Sequence, residues 1–350
     1  MAELRALIAG RNASLLVRCL RQLLRIPALG YSLAIWVRNC LYDWGLKKSH
    51  RAEALVLSVG NLSVGGTGKS PAVAWLAAWF RQQDVRVAVL SRGYRELECG
   101  RNDEALELEL RHPDVPHLQS PDRVESAELA TNELDMQALV LDDGFQHRRL
   151  SRDIDIVLLD VSEPIAAMKV LPAGVLRESF RSLSRANVVV LTRCHQAEPA
   201  ELAWYRTRVR KYGPQAIIAE TNHLPKKLYG VNGEEELAHL NGKRVLACCG
   251  IGKPEAFFQT LEQAGAQVVD QRVFADHHEF TADDVKELEE WSQQHSSADM
   301  VICTMKDWVK LQIPNLGPLP LRALLIEMEF SSGLPELKKM LEDATRGLKA

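Results

Sequence analysis

The 350-residue sequence predicts an α/β fold with a mostly parallel sheet. Three observations favour it: short aliphatic runs typical of buried strands, helical patterns between several of them, and a glycine-rich segment that joins the first run to a helix. The aliphatic runs are 55–59, 86–90, 138–142, 155–160, 187–192, 216–219, 244–249, 300–304 and 323–326. A chain of this length can form two domains, each with its own core.

The charge of the chain is nearly balanced but unevenly distributed. With 43 lysines and arginines against 46 aspartates and glutamates, the net charge of −3 predicts neither nucleic-acid binding nor disorder. Residues 1–52 nevertheless carry a net charge of +7, which leaves −10 for the remainder. This asymmetry suits an N-terminal segment that meets an anionic surface.

The N-terminal segment, residues 1–50, contains an amphipathic helical pattern over 13–26. One half of the helical wheel carries leucines and the other half arginines. We expect this helix to end at Pro27 and Gly30, and a second apolar and basic stretch follows. No run reaches the ~20 uncharged residues of a membrane-spanning helix. The pattern favours a helix on an anionic membrane surface, and a helix packed on the protein's own core is the alternative.

Seven cysteines, at positions 19, 40, 99, 194, 248, 249 and 303, form no C-x-x-C pair. Most fall in apolar runs, which is typical of buried reduced thiols in a cytoplasmic protein. Adjacent side chains of a strand point to opposite faces, so Cys248 and Cys249 are not expected to form a redox or metal pair.

The glycine-rich segment at 60–71 reads GNLSVGGTGKSP and is followed by a helical pattern at 72–81. A strand, a glycine-rich turn and a helix in this order bind phosphate through backbone N–H groups and the helix N-terminus. The lysine reaches the β- and γ-phosphates and the serine hydroxyl binds Mg²⁺. The candidate nucleotide-binding residues are Gly65, Gly66, Thr67, Gly68, Lys69 and Ser70. Ser63 departs from the G-x-x-x-x-G-K-[ST] pattern, and the alternative is a turn that merely joins strand to helix.

A second polar segment, Asp142-Asp143-Gly144, directly follows an aliphatic run. Downstream of a P-loop, an acidic strand end places a carboxylate near Mg²⁺ at the carboxyl edge of the sheet. Asp142 and Asp143 are therefore candidate metal and phosphate-site residues, and Gln146 and His147 continue the segment. Taken alone, the same residues would form an ordinary turn.

Two further loops present an arginine. Ser91-Arg92-Gly93-Tyr94 follows the run 86–90, so Arg92 and Tyr94 could hold phosphate and sugar at the same rim as the P-loop. Arg177 lies in a Pro/Gly loop at 171–178 and could offset charge on a transferring phosphoryl group. An ordinary surface turn and a solvated arginine are the alternatives.

Asp276, His277 and His278 precede a helix start rich in acidic residues. Paired histidines could bind a metal, but no cysteine or further histidine nearby has the spacing of a zinc site. A histidine with a carboxylate partner is also the usual general base for phosphoryl transfer to an alcohol. From these residues alone, we expect a helix-capping role.

Together, seven segments resemble the tetraacyldisaccharide 4′-kinase family, the lipid A 4′-kinases of Gram-negative bacteria. They span residues 60–311 and read GNLSVGGTGKSP, SRGY, DDGFQHRRLSRDIDIVLLD, LPAGVLRE, CGIGKPEAFF, FADHHEF and TMKDWVKL. Serine in place of the first P-loop glycine is itself the family's form of the motif. The basic amphipathic N-terminus resembles the family's membrane-associating segment.

The resemblance implies ATP-dependent phosphorylation, with Mg²⁺, of the 4′-hydroxyl of a tetraacylated glucosamine disaccharide 1-phosphate. It places this reaction at the cytoplasmic face of the inner membrane, so the implied partners are the lipid A precursor and an anionic membrane surface, without nucleic acid. The sequence itself predicts the domain division, because the strands through residue 192 fit one P-loop domain and the polar stretch 223–227 suits a hinge. The chain is therefore expected to form the N-terminal segment, a P-loop kinase core at 51–225 and a smaller α/β domain at 226–350. The sequence makes no prediction of oligomeric state.

The resemblance also implies a role for individual residues. Lys69 and Ser70 would hold the ATP phosphates and Mg²⁺, and Arg177 would stabilise the transferring phosphoryl group, with Glu178 beside it. Metal and phosphate contacts would come from Asp142 and Asp143. The implied substrate-binding residues are Arg92, Tyr94, Gln146 and His147.

The family's catalytic Asp–His pair corresponds to Asp103 and His277, with Glu104 as an acidic neighbour at the metal site. The segment Asn102-Asp103-Glu104-Ala105 departs from the family's G-D-E-P at both ends. Asp103 is expected to orient His277, which accepts the proton of the attacking hydroxyl.

A rival hypothesis is a membrane-associated P-loop ATPase that acts as a nucleotide-dependent switch or partitioning protein. Such a protein needs no hydroxyl acceptor and no general base in a second domain. A guanine-specific switch would show N-K-x-D, and Thr304-Met305-Lys306-Asp307 lacks the residue between lysine and aspartate. A catalytically inactive scaffold is disfavoured because Lys69, Ser70, Asp142 and His277 are all present.

Overall fold

The computed structural model describes residues 22–93, 103–295 and 297–348. The α-helices in these ranges are α1 (Arg25–Asp43), α2 (Lys69–Gln82), α3 (Asp103–Arg111), α4 (Arg123–Asn132), α5 (Pro199–Tyr212), α6 (Pro254–Gln263), α7 (Ala282–Gln294), α8 (Met305–Leu311) and α9 (Leu334–Thr345). The strands are β1 (Leu55–Asn61), β2 (Val87–Ser91), β3 (His117–Gln119), β4 (Ala138–Asp142), β5 (Ile154–Asp160), β6 (Val188–Thr192), β7 (Ile217–Gly230), β8 (Gly233–Glu236), β9 (Arg244–Cys249), β10 (Gln267–Val273), β11 (Met300–Thr304), β12 (Asn315–Leu316) and β13 (Leu319–Ser332). Each of the nine aliphatic runs overlaps one of these strands.

The described residues divide into two compact units. The first unit comprises residues 22–92, 114–222 and 328–348, and the second comprises residues 93, 103–113, 223–295 and 297–327. The change near residue 222 lies close to the predicted boundary at 225. A single boundary does not describe the whole division, because α3 belongs to the second unit and α9 belongs to the first.

The first unit is built on a parallel sheet with the strand order β7-β6-β5-β1-β4-β2-β3. The central strand β1 is flanked by β4 and β5, and nearly all of its residues are buried. In this register Val59 of β1 lies opposite Asp142 at the end of β4. The glycine-rich loop and the Asp142-Asp143-Gly144 turn therefore leave the sheet at the same edge.

Close packing ties these two loops together. Phe145 is fully buried in the core of the first unit, among Leu62, Val157 and Leu176. A Cβ atom added at Gly60 would lie 2.5 Å from the Phe145 Cβ and 2.8 Å from its backbone nitrogen. Glycine at this position lets the backbone of the acidic turn approach β1 directly.

The second unit has the strand order β10-β9-β11-β13-β7, with parallel pairs from β10 to β13. Its core holds Trp291 of α7 and Trp308 of α8. Leu106 and Leu110 of α3 pack against this core, so the amphipathic α3 joins this unit rather than the first.

The structure corrects the expected end of the N-terminal helix. α1 runs through both Pro27 and Gly30 and ends only at Asp43. Proline is tolerated because Pro27 lies in the first turn, where a backbone N–H has no intrahelical acceptor. Gly30 costs about 1 kcal/mol relative to alanine without ending the helix. The part of the 13–26 pattern before residue 22 lies outside the described residues.

α1 exposes a row of large apolar side chains to solvent. They are Ile26, Leu29, Leu33 and Trp36, each more than half exposed. None of the described helices combines the length and apolar character needed to span a membrane.

Gly60→Ala tests the close approach of β1 and Phe145. The added Cβ must displace backbone atoms, so we expect a loss of about 1–3 kcal/mol in the free energy of unfolding. Gly30→Ala is the matched control, because nothing lies within 4 Å of a Cβ there and the helix gains propensity. Denaturant unfolding measures both variants, and an unchanged midpoint for Gly60→Ala would contradict the packing.

Candidate active site

The glycine-rich loop of the first unit has the backbone of a phosphate-binding loop. It leaves β1 at Asn61 and enters α2 at Lys69, and Gly65 and Gly68 adopt φ angles of 108° and 90°. Only glycine takes these angles without steric cost. Thr67 anchors the loop, because its hydroxyl accepts a hydrogen bond from Asn61 Nδ2 at 2.9 Å. The N-terminus of α2 therefore lies at the position where such a loop binds an anion.

Main-chain hydrogen bonds tie the loop to the segment before Arg177. Ser63 forms an antiparallel bridge with Leu176, and the amide of Val64 donates to the carbonyl of Val175 at 2.8 Å. The Arg177 amide donates to the carbonyl of Leu62 at 2.6 Å. Residue 63 is therefore a short strand-like contact with a negative φ, so the position does not require glycine. The sequence carried no signal for this pairing.

Two cations converge on one carboxylate at the end of this loop. Arg177 Nη1 donates to Asp143 Oδ2 at 2.7 Å, and Lys69 Nζ lies 3.7 Å from Asp143 Oδ1. Burial alone would raise the pKa of Asp143, but Lys69 and Arg177 outweigh it and lower that pKa below its usual value. Asp143 is also held at a φ of 54°, an uncommon conformation for a residue with a side chain.

The neighbouring Asp142 is buried at the carboxyl end of β4. Its carbonyl accepts a hydrogen bond from Arg123 Nη2 at 3.3 Å. Arg123 is a buried cation that the sequence reasoning missed, and it is placed there by α4, whose N-terminus Asp122 caps. The only sequence signal was Asp122 itself, an N-cap residue followed by a helical pattern.

Gln146 and His147 follow the acidic turn. Gln146 Nε2 donates to the carbonyl of Asn61 at 2.9 Å, so it touches the start of the phosphate loop. Burial and the charge of Arg123 lower the pKa of His147 to about 4, so this imidazole is neutral at physiological pH.

The remaining candidates from the sequence are Arg92, Tyr94 and Glu178. Arg92 follows β2 and is exposed, while Tyr94 lies outside the described residues. Glu178 is fully buried, and its carboxylate accepts hydrogen bonds from Asn39 of α1 at 3.1 Å and from Ser182 at 2.6 Å. Arg38 and Arg185 complete its partners.

In the second unit the structure brings Asp103 and His277 together, 174 residues apart in the chain. His277 Nδ1 lies 2.8 Å from Asp103 Oδ2, and Asp103 is almost entirely buried. Burial opposes the charge of Asp103, yet the hydrogen bond from His277 and the charge of Lys306 lower its pKa to about 2. An ionised carboxylate only accepts hydrogen bonds, so Nδ1 carries a proton and Nε2 is the nitrogen left for other chemistry.

The capping role expected for Asp276-His277-His278 is wrong. α7 is capped by Thr281 and Asp284, which form a reciprocal capping box. His278 contacts this cap, because its Nε2 lies 3.0 Å from Asp284 Oδ2, whereas His277 faces Asp103.

Glu104, the acidic neighbour of Asp103, pairs with Lys306 Nζ at 3.3 Å. Within the described part of the chain, no group of three or more histidine, cysteine, aspartate or glutamate side chains forms a metal cluster. Mg²⁺ bound with a nucleotide commonly takes one or two protein ligands and completes its shell with phosphate and water. A buried carboxylate at Asp142 and the hydroxyl of Ser70, at the start of α2, suit that kind of site.

Comparison with known proteins identifies the family. The family model of tetraacyldisaccharide-1-P 4′-kinase matches residues 20–346. The tetraacyldisaccharide 4′-kinase of Geobacter sulfurreducens is 36% identical over 93% of this chain and 94% of its own length. That of Anaeromyxobacter dehalogenans is 37% identical over 89% of this chain and 87% of its own.

A solved structure agrees with these relatives. The fold is similar to that of LpxK from Aquifex aeolicus in complex with ATP, with a TM-score of 0.74 and 29% identity over 93% of this chain and 99% of that one. The predicted α/β fold with a P-loop and a mostly parallel sheet is confirmed, and the switch hypothesis is not favoured. On the family model and on relatives that match nearly its full length, this chain belongs to the tetraacyldisaccharide-1-P 4′-kinase family.

Proposed function

We propose that this protein transfers the γ-phosphoryl group of ATP to the 4′-hydroxyl of a tetraacylated glucosamine disaccharide 1-phosphate. The observation that carries the proposal beyond family membership is the buried Asp103 hydrogen-bonded to His277. A kinase acting on an alcohol needs a group that accepts the hydroxyl proton, and a nucleotide switch does not.

In the first unit, we assign ATP binding to the phosphate loop. The backbone of Gly65 to Gly68 and the N-terminus of α2 would bind the phosphates, and Lys69 would contact the β- and γ-phosphates. Arg177 would stabilise charge on the transferring phosphoryl group. Bound phosphate competes with Asp143 for both cations, so their present pairing is a resting arrangement in this proposal.

We assign Mg²⁺ to Ser70 and the acidic turn. Ser70 and Asp142 would hold the ion directly, and Asp143 would hold the phosphate-binding cations. Glu104, next to Asp103 in the chain, would be a further carboxylate at the metal site. The bound ion would neutralise charge on the phosphate oxygens.

In the second unit, we assign proton transfer to the Asp103–His277 pair. His277 Nε2 would take the proton of the 4′-hydroxyl as its oxygen bonds to the γ-phosphorus and the bond to the ADP oxygen breaks. Asp103, ionised because its pKa lies near 2, would hold Nδ1 protonated and stabilise the imidazolium that forms.

Substrate contacts are proposed for Arg92, Tyr94, Gln146 and His147. Neutral His147 could hydrogen-bond a sugar hydroxyl without attracting a second anion. We place the reaction at the cytoplasmic face of the inner membrane, and the exposed apolar side chains of α1 support contact with a lipid surface there.

The overall proposal is tested with purified protein, ATP, Mg²⁺ and the lipid disaccharide 1-phosphate, with the product scored by mass spectrometry. Lys69→Met should lower kcat by about 10²–10³-fold because a preorganised charge on the phosphates is lost. Lys339→Met, an exposed lysine of α9, is the control and should match the wild type. ATP hydrolysis without any phosphorylated lipid would contradict the proposal.

The Asp103–His277 pair is tested by Asp103→Ala and His277→Ala. Each should slow lipid phosphorylation by about 10²–10⁴-fold, the range for loss of general base catalysis, while ATP affinity stays within error. Isothermal calorimetry measures ATP binding and a quenched assay measures kcat. Wild-type turnover in Asp103→Ala would show that another carboxylate serves His277.

The membrane role of α1 is tested by a variant carrying Leu29→Glu and Leu33→Glu. Both side chains are exposed, so folding should be preserved while apolar area available to lipid is lost. We expect vesicles containing anionic lipid to bind the variant at least about tenfold more weakly. Leu129→Glu on α4 is the matched control, because Leu129 is also exposed. Equal vesicle binding by the variant and the control would refute this role.

A further inference from the structure

Helix α8 carries two buried charged side chains that have no role in the proposed reaction. Asp307 is fully buried and Lys310 is 4% exposed, and Lys310 Nζ lies 3.7 Å from Asp307 Oδ1. A buried ion pair is not in itself stabilising, since apolar side chains of similar volume often serve as well. The use of these charges must therefore be sought in the groups that they contact.

Asp307 contacts the backbone that precedes the histidine segment. Both of its carboxylate oxygens accept from the amide of Gly250, at 3.2 and 3.1 Å, and Thr304 Oγ1 donates to Oδ2 at 2.6 Å. The carbonyl of Gly250 in turn accepts the amide of His277 at 3.1 Å. One carboxylate thus fixes the residue that holds the backbone of His277.

Lys310 contacts the other side of the same segment. Its ammonium donates to the carbonyl of His278 at 2.8 Å. Between these two anchors His277 adopts a φ of 64°, a conformation that side-chain-bearing residues adopt only when the surroundings impose it. Space around Gly250 is also tight, because an added Cβ would lie 3.0 Å from the carbonyl oxygen of Ala275.

We infer that α8 positions His277 for catalysis, with Asp307 and Lys310 as positioning residues that never touch the substrate. The inference rests on the proposed role of His277 as the base. Displacing this imidazole by about 1 Å would be enough to slow proton transfer strongly. Lys306, next to Asp307 on α8, acts on the same pair through its positive charge, which helps to lower the pKa of Asp103, and it also contacts Glu104.

The test compares Lys310→Met, Asp307→Asn and Lys310→Arg in the full-length protein. We expect Lys310→Met and Asp307→Asn to lower kcat by about 10- to 100-fold with an unchanged KM for ATP. Lys310→Arg keeps a donor and should recover part of kcat. Lys286→Met, an exposed lysine of α7, is the control. The NMR signal of the His277 imidazole should move in Lys310→Met and stay in place in Lys286→Met.

A double-mutant cycle separates positioning from a general structural effect. In a His277→Ala background, Lys310→Met should lower kcat no further, because its effect passes through His277. An equal loss in both backgrounds, or wild-type kcat with an unmoved imidazole signal, would overturn the inference. Should Asp307→Asn fail to fold, the two Lys310 variants decide.

The same experiment distinguishes this inference from the proposed function. If His277→Ala turns over like the wild type, the base assignment fails and the positioning role fails with it. If His277→Ala is slow while Lys310→Met and Asp307→Asn match the wild type, only the positioning role fails.

Discussion

The site in the first unit depends on compensating the charge of Asp143, a partly buried carboxylate directly after β4. Asp143 lies in an uncommon backbone conformation and holds two cations, Lys69 from α2 and Arg177 from a loop that follows β5. Without them, burial would favour the neutral acid, and without the carboxylate two cations would repel each other. The glycine at position 60, the packing of Phe145 and the main-chain bridge at Ser63 all bring these groups within reach.

The second unit meets the same requirement with a different set of elements. Asp103 opens α3, and its charge is balanced by His277 and by lysines of α8. The chain supplies these groups from three distant segments, so the site exists only once α3 has packed on the core of this unit. The packing of Leu106 and Leu110 against this core therefore places the Asp103 carboxylate beside His277.

Features that are written locally in the sequence were predictable. Aliphatic runs marked the strands, and Gly65, Gly68 and Lys69 marked the loop, because both patterns arise from neighbouring residues. The assignment of α3 to the second unit was not predictable from composition, because an apolar helix face does not indicate which core it will pack against. Residue types alone also did not determine whether α1 continues past Pro27 or which residue caps α7. Both depend on hydrogen-bond geometry that only the structure shows. The pairing of Asp103 with His277 came from family resemblance, not from the residues alone.

The bridge between Ser63 and the segment before Arg177 consists of main-chain hydrogen bonds, and this has a mechanical consequence. Any displacement of the phosphate loop would also displace the backbone of Arg177, because the two segments are joined by these hydrogen bonds. The amides and carbonyls are the same in every residue type except proline, so the hydrogen bonds of the bridge do not themselves require particular side chains. Proline is the one residue type that would weaken this link, because at position 64 or 177 it would remove a bridging N–H.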